Sequence, residues 1–146
     1  MLKIGIASDH RGYILKKQLI DRLMEEYDIT DCGTTSTESV DYPDYAFKLG
    51  NLVADKDVDF GIAICGTGIG ISIACNKVKG IRCAKVDTLE EAIATRVDND
   101  SNIIAFGENM PLEKALELIK TFIKTNASNE EKHVRRRQKI SEYEDR

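Results

Sequence analysis

The chain has 146 residues, the length of one domain with one core. Apolar residues make up 42%, too many for a disordered chain, and the charges balance at 21 − 25 = −4, which argues against a general nucleic-acid or anionic-membrane surface. No run of about 20 apolar residues exists, so a membrane span is not expected.

Lys3–Ala7 (KIGIA) predicts a buried strand that opens the chain at once, with no signal-peptide pattern before it. Gly12 to Glu26 predicts a helix, with Ile14, Leu15, Leu19, Leu23 and Met24 at helical spacing. Ile29–Cys32 is a second, weaker strand. Gly33 to Asp44, rich in Thr and Ser and containing Pro43, reads as a loop before a helix from Tyr45 to Ala54. Phe60–Cys65 (FGIAIC) is the most apolar strand, and Ile81–Val86 is another. Thr88 and Glu91 have capping-box spacing and open a helix expected to end near Arg96. Ile103–Phe106 is the fifth strand. Pro111 suits the first position of a helix whose buried stripe is Leu112, Leu116, Ile119 and Ile123. Ser128 and Glu131 suggest a second capping box, opening a basic C-terminal helix.

Five strands separated by helices, with near-continuous apolar runs, predict a single α/β domain over residues 1–146. Its expected form is a doubly wound, five-stranded parallel sheet (Rossmann-like), with helices on both faces and a further helix at the C-terminus. Ligands in such sheets bind beyond the C-terminal ends of the strands. The expected site is therefore built from the loops Ser8–Gly12, Gly33–Pro43, Cys65–Gly70, Asp87 and Gly107–Asn109.

Cys32, Cys65, Cys75 and Cys83 form no C-x-x-C pair, and His10 and His133 are the two histidines, so no metal centre is expected. Free thiols of a cytoplasmic protein are the default. The sharpest motif is Cys65-Gly66-Thr67-Gly68-Ile69-Gly70, between a strand and a helix. Three alternate glycines let backbone N–H groups converge on an anion, although a tight turn alone would also call for glycine. No lysine makes it a Walker loop, Ile71 stands where a phosphatase loop needs arginine, and G-x-G-x-G is not the dinucleotide fingerprint. Asp87, about 20 residues on, keeps nucleotide binding as a runner-up. Cys65 sits where a thiolate would be stabilised and could act as a general base, whereas Cys32, Cys75 and Cys83 read as small buried residues. Asp9-His10, directly after the first strand, suits hydroxyl and phosphate binding or a solvated turn. Lys132 to Lys139 carries five cations in eight residues, with Lys132 and Arg136 on one helical face; it is either a solvated face or a phosphate clamp. Together these features point to a small phosphorylated metabolite, without fixing the reaction.

Asp9-His10 with Gly12, Ser39 to Pro43, Cys65 to Ser72, Asn76 to Arg82 and the terminal Lys-His-x-Arg-Arg segment resemble the type B ribose-5-phosphate isomerases, whose relatives include the galactose-6-phosphate isomerase subunits. The resemblance covers essentially the whole chain. It implies cofactor-independent interconversion of ribose 5-phosphate and ribulose 5-phosphate through an enediolate, a step of the pentose phosphate pathway. Hexose 6-phosphates are the alternative substrates, and a non-catalytic sugar-phosphate or nucleotide-binding module is the alternative of another class. By the same resemblance Cys65 is the base. Thr67 and the amides of Gly66, Thr67, Gly68, Ile69 and Gly70 hold the enediolate oxygens, Asp9 and Tyr42 contact sugar hydroxyls, and His10 contacts the ligand's polar end. Asn99 matches the asparagine that follows the ring-opening histidine, while Lys132 and Arg136 grip phosphate. A homodimer or homotetramer, with each site completed by the neighbouring subunit, is implied as well. Three positions depart from the pattern. Asp98 stands in place of the ring-opening histidine and is the candidate for that role, Asn109 replaces a phosphate-binding arginine, and Lys132 replaces another arginine.

Overall fold

The computed structural model describes residues 1–146. In chain order the elements are β1 (Lys3–Ser8), α1 (Tyr13–Leu23), β2 (Asp28–Asp31), α2 (Tyr42–Ala54), β3 (Phe60–Cys65) and α3 (Ile69–Cys75). They continue with β4 (Cys83–Lys85), α4 (Leu89–Asn99), β5 (Ile103–Gly107), α5 (Leu112–Lys124) and α6 (Glu131–Glu144). The five strands form one parallel sheet in the order β2-β1-β3-β5-β4. The expected α/β architecture is present. The chain steps from β1 outward to β2, then crosses back past β1 to β3. Right-handed crossovers therefore put α1 and α2 on opposite faces and leave a crevice between the ends of β1 and β3.

Alternation along each strand feeds two cores. Ile4 and Ile6 of β1, Ile62 and Ile64 of β3, and Ile104 and Phe106 of β5 face one way. They pack against Leu15, Leu19 and Leu23 of α1, Ala92 of α4, and Leu116, Ile119 and Phe122 of α5. Ala7, Ala63, Cys65 and Ala105 face the other way, against Ala46, Leu49 and Val53 of α2 and Ile71, Ala74 and Cys75 of α3. Phe106 and Phe122 are fully buried, so truncating either to alanine costs about 3–5 kcal/mol. Cys65 ends the central strand on the α2/α3 face, which aims its thiol at the loop opening α3.

Several boundaries differ from the sequence-based expectation: α1 ends at Leu23 rather than Glu26, β4 is only Cys83–Lys85, and four further differences have a visible local cause. Helix α2 starts at Tyr42, not Tyr45, because Asp41 is extended (φ −93°, ψ 121°) and Pro43 suits a first turn whose N–H groups need no partner. Tyr42 is thus held by a helix rather than a loop. Helix α4 runs past Arg96 to Asn99, where Asp100 turns left-handed (φ 48°) and returns its N–H to Arg96 O. Pro111 caps α5 rather than beginning it, since its ψ of 139° is extended. The box expected at Ser128–Glu131 does not form. Ser128 Oγ accepts from Glu130 N–H at 3.0 Å in a local turn, and α6 starts at Glu131. The Thr88–Glu91 box is present in both directions, at 3.1 and 3.2 Å. No helix is long and apolar enough to cross a membrane.

Candidate active site

Beyond the C-terminal ends of β1 and β3, at the crevice between them, a cavity of about 260 Å³ is lined by Asp9, Arg11, Tyr42, Cys65, Gly66, Thr67 and Gly70. Cys65 is 4% exposed, and its Sγ accepts a hydrogen bond from Gly68 N–H at 3.2 Å. That bond fixes the sulfur at the mouth of the loop. Gly68 lies at φ +81°, and a Cβ there would come within 2.7 Å of the Phe106 backbone, so no other residue fits this turn. The Ile69 amide is also occupied, donating to Thr67 Oγ1 at 3.1 Å. Of the loop amides expected to hold an anion, those of Gly66, Thr67 and Gly70 have no hydrogen-bond partner within the chain, and those of Gly68 and Ile69 are engaged.

Asp9 is buried, and a single oxygen, Oδ1, accepts the N–H groups of Arg11 (3.0 Å) and Gly12 (3.1 Å). This leaves Oδ2 for a ligand hydroxyl. His10 lies beside Asp9 in the chain, but its Nδ1 accepts Val40 N–H at 3.2 Å, which places the ring hydrogen on Nε2. Tyr42, on the first turn of α2, packs its ring over Gly70. The other thiols do not share this environment. Burial pushes Cys32 up to about 11. Cys83 is raised well above its ordinary range, first by a hydrogen bond with Cys75 and then by burial.

The remaining expected residues form a second cluster. A smaller hollow of about 180 Å³ is lined by Asp98, Asn99, His133, Arg136, Arg137 and Ile140. Asp98 and Asn99 end α4, just before the N-terminal end of β5, whereas Cys65 pairs with Gly107 at its C-terminal end. The two clusters therefore lie at opposite ends of the sheet, separated by the full five-residue strand, roughly 16 Å. Arg136 makes no hydrogen bond or ion pair within the chain. Lys132 is exposed and lies 3.7 Å from Glu130, outside the hollow. Asn109 lies at neither place. It borders a neighbouring crevice of about 350 Å³ with Asp87, Gly107 and Lys114, which touches the first cavity through Gly66 and Thr67.

Four residues stand out here that the sequence left unassigned. His133 Nε2 lies 3.4 Å from Asp98 Oδ1, and its Nδ1 is buried with no partner. Arg137 donates to the carbonyls of Val97 (3.3 Å) and Ser128 (2.8 Å), tying α6 to the end of α4. Arg11 and Glu108 form an ion pair at 2.6 Å across the end of β3. Only the position of Arg11, next to Asp9-His10, could have signalled its role. Asp98–His133 pairs residues 35 apart, and nothing local marks it.

The model of the Ribose/Galactose Isomerase family matches residues 4–140. The chain is 44% identical over 124 residues to the ribose-5-phosphate isomerase B of Escherichia coli (strain K12), covering 84% of this chain and 81% of that one. The structure of Clostridium thermocellum ribose-5-phosphate isomerase B superposes with a TM-score of 0.94 at 45% identity, covering 99% of this chain and 98% of the other. Ribose-5-phosphate isomerase B of Mycoplasma genitalium, solved with bound ribulose-5-phosphate, superposes with a TM-score of 0.90 at 34% identity, covering 99% and 97%. With its five-stranded parallel sheet and its thiol at the end of the central strand, this chain belongs to the ribose/galactose isomerase family.

Proposed function

We infer that the protein is an aldose–ketose isomerase that interconverts ribose 5-phosphate and ribulose 5-phosphate. The observation that carries this is the Cys65 thiol, held by Gly68 N–H in a cavity that also offers Asp9 Oδ2, the Thr67 hydroxyl and unpaired loop amides. Once the sugar is open, the Cys65 thiolate takes the C2 proton, and the electrons of that C–H bond form C1=C2 while O1 gains the charge. Thr67 and the amides of Gly66 and Gly70 stabilise that oxygen. The O2 proton then moves to O1, the thiol returns its proton to C1, and C2=O2 forms.

The chain carries both halves of a site but sets them at opposite ends of the sheet, so it works as a homodimer or homotetramer. In that assembly, Asp98, Asn99, Lys132 and Arg136 of one subunit complete the Cys65 cavity of another. Arg136, free of partners within the chain, takes the phosphate, assisted by Lys132. Asp98 acts with His133, whose Nε2 lies 3.4 Å from its Oδ1, on the furanose ring. Four unpaired cysteines suit the cytoplasm, where the reaction serves the pentose phosphate pathway. NMR of the protein with ribose 5-phosphate in deuterated water tests the chemistry. Deuterium at C2 of the aldose or C1 of the ketose is expected, and binding without exchange would refute it. Asn109 removes a cation from the family pattern, which favours assaying allose and galactose 6-phosphates alongside.

A further inference from the structure

Arg11 lies in the loop after β1, and Glu108 in the loop after β5. Arg11 Nε donates to Glu108 Oε2 at 2.6 Å, so the pair spans the end of β3 between them. Beneath it lies Gly66. A Cβ at that position would meet Arg11 Nη1 at 2.8 Å, Cζ at 2.9 Å and Nε at 3.1 Å. Three near-equal distances mean that the guanidinium lies flat across the Gly66 backbone, which has room for it because that residue has no side chain. Glu108 is itself fixed, since its backbone N–H donates to Gly66 O at 3.2 Å. Its carboxylate grips the Nε edge and does not line the Cys65 cavity, whereas Arg11 does. The pair is thus oriented, with Arg11 at the cavity wall and Glu108 outside it. Neither Nη nitrogen has a protein partner. Arg11 is also the one cation among the seven residues lining that cavity.

We propose that Arg11 is a catalytic residue of the isomerase described above, donating through its free Nη groups to the sugar oxygen that becomes negative when Cys65 removes the C2 proton, with Glu108 as its positioning residue. The charge exists only after proton removal, so the contact strengthens in the transition state and acts on kcat more than on KM. Glu108, by hydrogen bond and then by charge, holds the guanidinium above its ordinary value, and Asp9 and Cys65 add to this from further away. Arg11 stays charged at every pH the enzyme meets.

The test follows ribulose 5-phosphate formation in wild type, Arg11→Met, Arg11→Lys and the reversed pair Arg11→Glu/Glu108→Arg, with thermal melts of each. One buried oxyanion donor is worth about 10²–10³ in kcat; for a side chain 56% exposed, solvent reduces this to roughly 10-fold. Arg11→Met is expected to lose about that in kcat, with KM changed less than about threefold, and Arg11→Lys to recover most of it. The reversed pair restores the tie between the two loops, and with it the melting temperature, but should stay as slow as Arg11→Met. Full kcat in Arg11→Met, or recovery in the reversed pair, would overturn the proposal and leave the ion pair as a loop tie. A wild type that isomerises while those outcomes hold leaves the isomerase reading standing; a wild type that exchanges no carbon-bound proton removes both.

Discussion

Mixing two disabled chains decides whether the two clusters act together across subunits. Cys65→Ala removes the base and should lower turnover by at least about 10²-fold. Arg136→Ala removes a hydrogen bond to a charged group worth about 1.5–3 kcal/mol, which lowers the rate below KM by roughly 10- to 150-fold. Each change leaves the other end of the sheet untouched, because the two clusters are separated by the length of β5. When equal amounts are dissociated and reassociated, about half the dimers carry one chain of each kind. In such a dimer one site has both defects, and the other takes Cys65 from the Arg136 variant and Arg136 from the Cys65 variant. Activity should therefore return to about one quarter of wild type, from two preparations that are nearly inactive alone. The converse mixture, wild type with a chain carrying both substitutions, should fall to about one quarter rather than one half, because every mixed dimer then has two broken sites. The assay is the initial rate of ribulose 5-phosphate formation below KM, with native mass spectrometry confirming that mixed dimers form. Mixed dimers without recovered activity would mean that each chain builds its site alone, and the assignment of Arg136 and Asp98 to the partner's cavity would be wrong.

Asp98→Asn should slow isomerisation of ribose 5-phosphate by about 10-fold or more, while sparing erythrose 4-phosphate, which is too short for the phosphate-bearing furanose; an equal effect on both substrates would remove Asp98 from ring opening. Arg136→Ala should weaken ribose 5-phosphate binding by about 1.5–3 kcal/mol and free ribose far less, as read by calorimetry on the Cys65→Ala background. Gly68→Ala forces a side chain at φ +81° to within 2.7 Å of Phe106, so the melting temperature should drop by about 6 °C or more, from at least about 2 kcal/mol of strain. Cys32 gives a stability change with a definite sign. Its folded value of about 11 lies above the ordinary 9.0, so the buried thiol stabilises the fold below pH 9, and this is lost as pH rises from 9 towards 11. Urea melts at pH 8 and pH 10.5 should show Cys32→Ala losing less stability between the two than wild type, by up to roughly 2 kcal/mol.

How much of this was legible in the sequence depends on how far apart the partners lie along the chain. The strands were readable because FGIAIC and IIAF are buried on both faces and carry their signal in every residue. The Thr88–Glu91 box was readable because both bonds close within four residues. The Ser128–Glu131 spacing was equally good on paper, yet Ser128 N–H is committed to Val97 O at 3.0 Å, a tertiary contact that pulls the residue out of the cap. Tyr42 entered a helix because of Asp41 and Pro43 before it and after it, a local signal that the loop-like composition of residues 33–44 obscured. In the site, Cys65, Thr67 and the glycines could be found because one short loop holds them, but which amides are free could not. That follows from where Gly68 N–H and Thr67 Oγ1 point after folding.

The deepest gap concerns geometry between elements. Asp98 is 33 residues from Cys65, and the chain between them runs out through α3 to β4 and back through α4. Counting along it cannot say that α4 ends beneath the sheet while β3 ends above it. That fact comes from strand direction alone: in a parallel sheet every strand ends on one side and every helix returns to the other. Any residue at the C-terminal end of a crossover helix is thereby denied to the strand-end cavity of its own chain. A functional motif at such a place either serves the scaffold or serves another copy. Arg96 does the first, stacked 5.1 Å from Phe60 and bonded to Ser101 O and Thr125 O. Arg136, on α6 with its guanidinium unpartnered in its own chain, lines the hollow beside Asp98, at the far end of the sheet from the Cys65 cavity; a role there for another copy is what the mixing experiment tests.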